Sequence, residues 1–225
     1  MKVDVLYEDN HVLVALKPRN MPVQADASGD MDLLTHLKGY IKEKYNKPGN
    51  VYLGLVHRLD RPVAGLVAFA RTSKAAARLS GQLQDRRMGR EYLCVVQGVA
   101  PESGHLRHFL LKDERTNSSR AVPEGTPGAK EALLDYKRLD AADGLSLLKV
   151  KLGTGRSHQI RVQMKEAGFP LWGDNRYGGG KPGESVALYA WGLAFEHPTT
   201  KEKLRLWAPY PDVPPFDRFQ APKED

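Results

Sequence analysis

The residues best suited to chemistry are His57-Arg58-Leu59-Asp60-Arg61-Pro62, where one carboxylate sits between two arginines. An apolar run, Val51 to Val56, precedes them, and a second, Leu66 to Ala70, follows Gly65. Extended backbone sends alternate side chains to opposite faces, so Arg58 and Asp60 point one way and His57 and Leu59 the other. Spacing alone leaves two readings open. One is a surface ion pair at the mouth of a hairpin, which adds little stability. The other is a functional carboxylate, which burial would protonate and a neighbouring guanidinium keeps ionised.

A second polar stretch runs from Gly153 through Thr154-Gly155-Arg156-Ser157-His158-Gln159-Ile160-Arg161-Val162. Thr154 is positioned to cap a helix that Gly168 stops, with Ile160, Met164 and Ala167 on one stripe. His158 and Arg161 are three apart on a neighbouring face. Arg156 at such a helix start suits a phosphate or carboxylate. Arg86, Arg87 and Arg90 crowd the turn into the next strand, where a phosphate contact is the functional reading. Lys74 and Arg78 read instead as a solvated helix face.

Other chemistries lack their residues. The seven histidines form no HExxH pair, and the only cysteine, Cys94, lies inside an apolar run. His105 and His108 would face opposite sides of a strand, so no metal is expected. His57 to Asp60 has the look of a kinase catalytic loop, but no glycine-rich loop or DFG accompanies it. A Walker loop, a full dinucleotide fingerprint and a GxSxG elbow are also missing, so no cofactor is expected. What survives is a carboxylate, several arginines and a chain of net charge +7. That balance favours a polyanion, because neutralising phosphates releases counterions.

The elements that must position these residues are short strands. Val3 to Tyr7 and Val12 to Leu16 read as a hairpin, and Lys17-Pro18-Arg19-Asn20-Met21-Pro22 interrupts regular structure. A helix capped by Asp30 or Asp32 runs to about Tyr45 on Leu33, Leu34, Leu37 and Ile41. A second, capped by Ser73, runs to about Arg87 on Ala76, Leu79 and Leu83. Glu91 to Gly98 and His105 to Leu111 read as strands, and Lys112 to Lys130 as a loop. Leu133 to Leu139 and Leu145 to Leu152 form a further hairpin. A Gly/Pro-rich loop spans Tyr177 to Gly183; Val186 to Phe195 and Leu204 to Trp207 are the last strands. The expected fold is α+β, a largely antiparallel mixed sheet flanked by helices and loops. No linker or repeat divides it, so a single domain over residues 1–225 is expected, with its core at about 3–208 and a Pro-rich tail. A lone buried cysteine, no membrane-length apolar run and no signal-peptide core point to the cytoplasm.

Several blocks carry a family resemblance. His57-Arg58-Leu59-Asp60 with Gly65-Leu66 resembles the HRLDxxTSGLL signature of the RluA-type pseudouridine synthases. Arg90-Glu91-Tyr92-Leu93 followed by Gly98 is similar to that family's second block. Thr154 to Val162 matches TGRxHQIRV almost letter for letter. Gly173-Asp174-Asn175-Arg176-Tyr177-Gly178 resembles GDxxYG, Leu188-Tyr189-Ala190 through His197-Pro198 resembles LHAxxLxFxHP, and Lys17-Pro18 stands where NKPxG is found. The blocks occur in order from residue 17 to 198. Three departures stand out: Pro62-Val63-Ala64 beside Asp60, Asn20 where a glycine is expected, and Tyr189 where His is common. Many relatives carry an N-terminal S4 domain, and this chain is expected to act without one.

The resemblance implies an enzyme that isomerises specific uridines of ribosomal or transfer RNA to pseudouridine. The N1–C1′ bond breaks, the uracil turns, and the bond reforms through C5, a redox-neutral change requiring no cofactor. It implies Asp60 as the catalytic carboxylate, Arg161 as its salt-bridge partner, and Tyr92 stacked on the uracil with a hydroxyl near the C5 proton. Whether Asp60 attacks C1′, adds to the base or assists elimination stays open. The target base must leave its stack, and Arg58 would enter the vacated space. His57, Arg61, Arg86, Arg87, Arg90, Arg156 and His158 are the further RNA contacts expected, on a monomer independent of membrane or metal. The competing reading is a non-catalytic RNA-binding module of the same fold.

Overall fold

Eleven strands, three α-helices and one 3-10 turn succeed one another among the described residues. They are β1 (Val5–Glu8), β2 (Val12–Lys17), α1 (Leu33–Lys44), β3 (Gly54–Leu55), β4 (Ala64–Ala70), α2 (Ser73–Gln84), β5 (Gly89–Gln97) and β6 (Ser103–Asp113), then β7 (Ser118–Val122), β8 (Lys130–Ala142), β9 (Leu145–Leu152), α3 (Gln159–Glu166), β10 (Leu188–Glu196), β11 (Lys203–Trp207) and the turn Phe216–Arg218. The computed structural model describes residues 3–223 except Gly179 and Pro182, so part of the Tyr177 to Gly183 loop and both extreme termini lie outside the described residues. Two compact units emerge: Met1–Gly89 with Ala190–Ala208, and Arg90–Tyr189 with Pro209–Asp225.

In the first unit, the Asp9 carboxylate accepts from the backbone N–H groups of His11 and Val12, both at 2.7 Å, and so shapes the β1–β2 turn. β2 then pairs antiparallel with β4, from Val12 opposite Ala70 to Lys17 opposite Gly65. Both strands are buried nearly throughout, as their unbroken apolar runs require. α1 begins where Asp32 accepts from the Thr35 N–H at 2.9 Å, and it buries Leu33, Leu37 and Ile41. Each such side chain contributes about 1.5–3 kcal/mol by leaving water.

The run from Val51 yields only the two-residue β3, paired with β4 at Gly54–Ala70 and Leu55–Phe69. A side chain at Gly54 would stand 2.8 Å from the Tyr52 hydroxyl and 3.2 Å from Ala76 of α2, so the close approach of that helix requires the glycine. α2 corrects the expected boundaries: Thr72, not Ser73, is its N-cap, accepting from Ala75 N–H at 3.1 Å. It ends at Gln84, with Arg86 in the left-handed region at φ 59°. Its fully buried residues are Ala75, Leu79 and Gln82, whereas Ala76 and Leu83 are half-buried. A glutamine is tolerated inside because it copies a strand edge. Its Nε2 donates to the Glu196 carbonyl at 2.7 Å, and its Oε1 accepts from the Glu196 N–H at 2.8 Å.

The second unit stacks five strands in the order β5-β9-β8-β6-β7, each described pairing antiparallel. The β8–β9 turn is Asp143-Gly144, with φ 53° and 73°, the left-handed pair that matches strand twist. The stretch from Lys112 to Lys130, expected as a loop, contains β7, which pairs with β6 from Phe109–Val122 to Asp113–Ser118. α3 starts later than expected. Its first flanking residue is His158, left-handed at φ 53° and with no side-chain cap, while Thr154 lies ahead of the helix. Every residue from Gln159 to Met164 is buried, so α3 is enclosed rather than amphipathic. Val162 packs on Leu110 and Ala132, with Ala121 and Tyr177 beside them.

Candidate active site

Asp60 lies in an irregular loop between β3 and β4, where the alternation expected of extended backbone persists. His57 and Leu59 are buried, Arg58 is exposed and Asp60 is half-buried. The His57 ring faces inward: Nε2 accepts from the Ala68 N–H of β4 at 3.1 Å, which ties the loop to the sheet. Arg61 donates to Ser28 Oγ at 2.8 Å and pairs with Asp30 and Asp26, stapling the 26–30 segment to the loop. Both residues, assigned to RNA on sequence grounds, therefore have scaffolding tasks.

The loop's main anchor is a residue the motif contained but sequence reasoning gave no role. Lys17, at the end of β2, is fully buried. Its ammonium donates to the carbonyls of Pro18 at 3.0 Å, Met21 at 2.7 Å and Arg61 at 3.0 Å. Three carbonyls satisfy its three donors, joining the Lys17-Pro18 turn to the backbone immediately after Asp60. Burial pulls its pKa down to about 7, opposed by the Asp60 carboxylate nearby. The Asp60 carbonyl accepts from Val63 N–H at 3.0 Å, which closes the loop over the buried Val63. Asn20, where a glycine is usual, has φ 64°. Asparagine is among the few side chains that accept the left-handed region, which explains the departure.

In the second unit, Tyr92 is a buried residue of β5. The block from Thr154 to Val162 is a set of tethers to β8. Thr154 Oγ1 donates to Gln159 Oε1 at 2.7 Å and accepts from Leu133 N–H at 2.9 Å. Gln159 Nε2 donates to the Leu133 carbonyl at 2.9 Å, and Arg156 Nε to the Glu131 carbonyl at 2.8 Å. These bonds deliver Arg161 into a buried position. It donates Nε and Nη2 to the two oxygens of Asp174, both at 2.7 Å, and its guanidinium lies 5.0 Å from the Tyr177 ring centre. Asp174 also accepts from the N–H groups of Arg176 and Tyr177. The Tyr177 hydroxyl meets His158 Nδ1 at 2.6 Å and accepts from Ser119 N–H at 3.0 Å. Burial raises the Tyr177 pKa, so the hydroxyl stays protonated at neutral pH.

Asp174 and Tyr177 were visible only as letters of the GDxxYG block. Arg176 donates to the carbonyls of Thr116 and Asn117 at 2.9 and 3.0 Å, so the same block holds the β6–β7 tip. Tyr189, the third departure, places its hydroxyl on the Pro209 carbonyl at 2.9 Å, and burial pushes its pKa up to about 12. Arg87 pairs with Asp85 at 3.1 Å on the surface, and Arg86 is exposed. Among the described residues no cluster of His, Cys, Asp and Glu could hold a metal ion, and no helix is long and apolar enough to cross a membrane.

The profile of the RNA pseudouridylate synthases matches residues 11–166, a span that contains Asp60, Tyr92 and Arg161. The chain belongs to that family, whose members are isomerases acting on RNA. It is 35% identical over 217 residues to the uncharacterised RNA pseudouridine synthase YlyB of Bacillus subtilis, covering 94% of this chain and 70% of that one. It is 35% identical over 227 residues to the ribosomal large subunit pseudouridine synthase D of Neisseria meningitidis, covering 94% of this chain and 59% of that protein. The fold matches human RNA pseudouridylate synthase domain containing 4 at a TM-score of 0.77 and 20% identity, over 92% of this chain and 88% of that one. It matches the human domain containing 1 protein at 0.74 and 25%, over 96% and 87%.

Proposed function

We propose that this protein converts specific uridines of large-subunit ribosomal RNA to pseudouridine, with Asp60 as the catalytic carboxylate. The observation that carries the reading is the Asp60 loop itself. A half-buried carboxylate is held on backbone pinned by a buried lysine, within the segment that matches the synthase profile. The names of several relatives as ribosomal large subunit synthases favour ribosomal over transfer RNA. In this reading the N1–C1′ bond breaks, C5 bonds to C1′, the C5 proton departs and N1 gains one, so the product is an isomer. Asp60 attends the sugar or base carbon, Tyr92 stacks on the uracil, Arg161 supplies positive charge, and exposed Arg58 fills the space of the flipped base. The protein works in the cytoplasm as a monomer, without cofactor or metal.

The test is Asp60→Asn and Asp60→Ala assayed on ribosomal RNA, with pseudouridine mapped by carbodiimide primer extension. Isomerisation should vanish while RNA binding persists. Normal turnover in either variant sinks the assignment of Asp60. RNA carrying 5-fluorouracil separates enzyme from binding module, since only an active enzyme forms a stable or rearranged adduct.

A further inference from the structure

Arg90 is the second residue of the strand that carries Tyr92, and the two side chains leave β5 on the same face. It is only 8% exposed, far more enclosed than a surface arginine. No hydrogen-bond partner meets its buried Nε among the described residues. Burial lowers its pKa, Tyr92 opposes this, and no acid among the described residues forms an ion pair with it. Every other buried cation of the two site regions is satisfied: Lys17 by three carbonyls, Arg161 by Asp174. An enclosed guanidinium without a counter-charge is costly to the folded protein, and proteins keep such groups where a ligand supplies the missing charge.

The place where that charge arrives is marked by Gly155. A Cβ at this residue would collide with Arg90 Nη1 and would stand 3.4 Å from Cζ, so the absent side chain is what leaves the guanidinium its space. Gly155 itself is exposed, which puts the outer edge of the guanidinium at solvent while Nε stays inside. Arg156 follows in the same loop, its guanidinium fixed to the Glu131 carbonyl, and adds positive charge without offering a carboxylate.

We infer that Arg90, seated against Gly155, is a preorganised receptor for one backbone phosphate of the bound RNA. This deepens the proposed function and rests on it for the identity of the anion as RNA. Arg86 and Arg87 differ in kind: both are exposed, and Arg87 is held at the surface by Asp85. Arg90 is already ordered, and its cost to the free protein is relieved when the phosphate arrives.

The experiment uses the full chain, fluorescein-labelled dodecauridylate as the RNA probe, and the variants Arg90→Met and Arg90→Lys. Arg90→Met should melt at the same temperature as the parent or higher, because it removes an unpaired buried charge. It should bind the probe about tenfold more weakly at low salt, and the slope of log K against log salt should fall by about 0.7, the share of one single-strand phosphate. Arg90→Lys should restore the slope. Three results overturn the inference: a marked fall in melting temperature for Arg90→Met, which would reveal a structural partner; unchanged affinity and slope; or unchanged binding with lost turnover on ribosomal RNA, which would place Arg90 at the base instead. Absence of pseudouridine formation by the parent protein would strike the functional reading alone, since the probe's salt slope reads Arg90 independently of turnover.

Discussion

The Arg161 guanidinium closes a two-point fork on the Asp174 carboxylate, Nε to Oδ2 and Nη2 to Oδ1, with the acid 1% and the arginine 7% exposed at their side chains. Fork geometry fixes direction as well as distance, which a lysine in either role would not do. Asp174 is in turn held by the Arg176 and Tyr177 N–H groups, so the arginine's orientation is set by backbone.

Asp174→Asn should therefore be costly although it preserves shape. One fork bond is lost, an amide N–H is turned towards a donor, and a buried guanidinium loses the Asp174 charge. We expect about 3 kcal/mol of destabilisation by urea unfolding. Turnover should fall by up to about a hundredfold if Arg161 is displaced by an ångström. Asp174→Glu should recover less stability than charge, because the longer acid cannot keep the two N–H bonds. Wild-type stability in Asp174→Asn would show that the fork contributes nothing.

Lys17 gives a pH signature with a defined sign. Its pKa is drawn from 10.5 down to about 7 by burial, so between those values the unfolded chain holds a proton that the folded one has released. Stability then rises with pH across that window. Lys17→Met removes the group, and the stability of the parent relative to the variant should increase from pH 7 to pH 10. Urea midpoints at several pH values measure it. A difference that stays constant with pH would mean that the three carbonyls keep the ammonium charged in the fold.

The strands were legible because buried runs such as Leu93 to Val96 and Leu147 to Val150 have no other plausible home. β7 was not, because Ser118-Ser119-Arg120 is polar and lies among Gly and Pro. It forms because β6 runs on past β8 and offers Phe109 to Asp113 as a template on its other edge. The buried stripe of α2 was misplaced by one residue, since Gln82 looks like surface until Glu196 is brought beside it. Thr154 looks like a cap by its type and bonds a side chain five residues on instead. Asp60, Tyr92 and Arg161 were legible as members of a family pattern. The partners Asp174, Tyr177 and Leu133 were not, because a sequence carries residue types and does not name which distant group each one meets.

Gly65, the second residue of β4, has φ 126° beside the Asp60 loop, and a Cβ there would clash with the backbone carbonyl and nitrogen of Ala190. Neither neighbour is the yielding end of a side chain. Gly65→Ala should destabilise by about 2–4 kcal/mol through combined strain and overpacking. Because Gly65 pairs with Lys17 across the β2–β4 ladder, the loss should also disturb the loop anchor. Thermal unfolding checks the first effect, and a drop in turnover exceeding that of a distant variant of equal stability checks the second. An alanine variant as stable as the parent would contradict the strand register.

Glu8 is the hub of a second, half-exposed network, and its titration has the same sign as that of Lys17: the folded pKa lies below the unfolded one, so stability rises with pH, here in the acid range. It accepts from Tyr40 at 2.8 Å, Lys44 at 2.7 Å, Tyr45 at 2.9 Å and Arg71 at 2.9 Å, which ties β1 to α1 and to the end of β4. Burial by itself would raise its pKa, but the bonds from Lys44, Tyr40 and Tyr45 outweigh that and hold it below the ordinary 4.5. A carboxylate lowered in the fold stabilises above its unfolded pKa, and the contribution drains away as pH falls through the folded value. Glu8→Gln should cost about 1–3 kcal/mol at pH 7, where four donors lose a charged acceptor. That gap should hold down to about pH 4.5, the ordinary value from which Glu8 is lowered, and then close as acid protonates Glu8 in the parent. Denaturation of both proteins across pH 3 to 7 measures it, and a gap independent of pH would mean that the network acts through packing and not through charge.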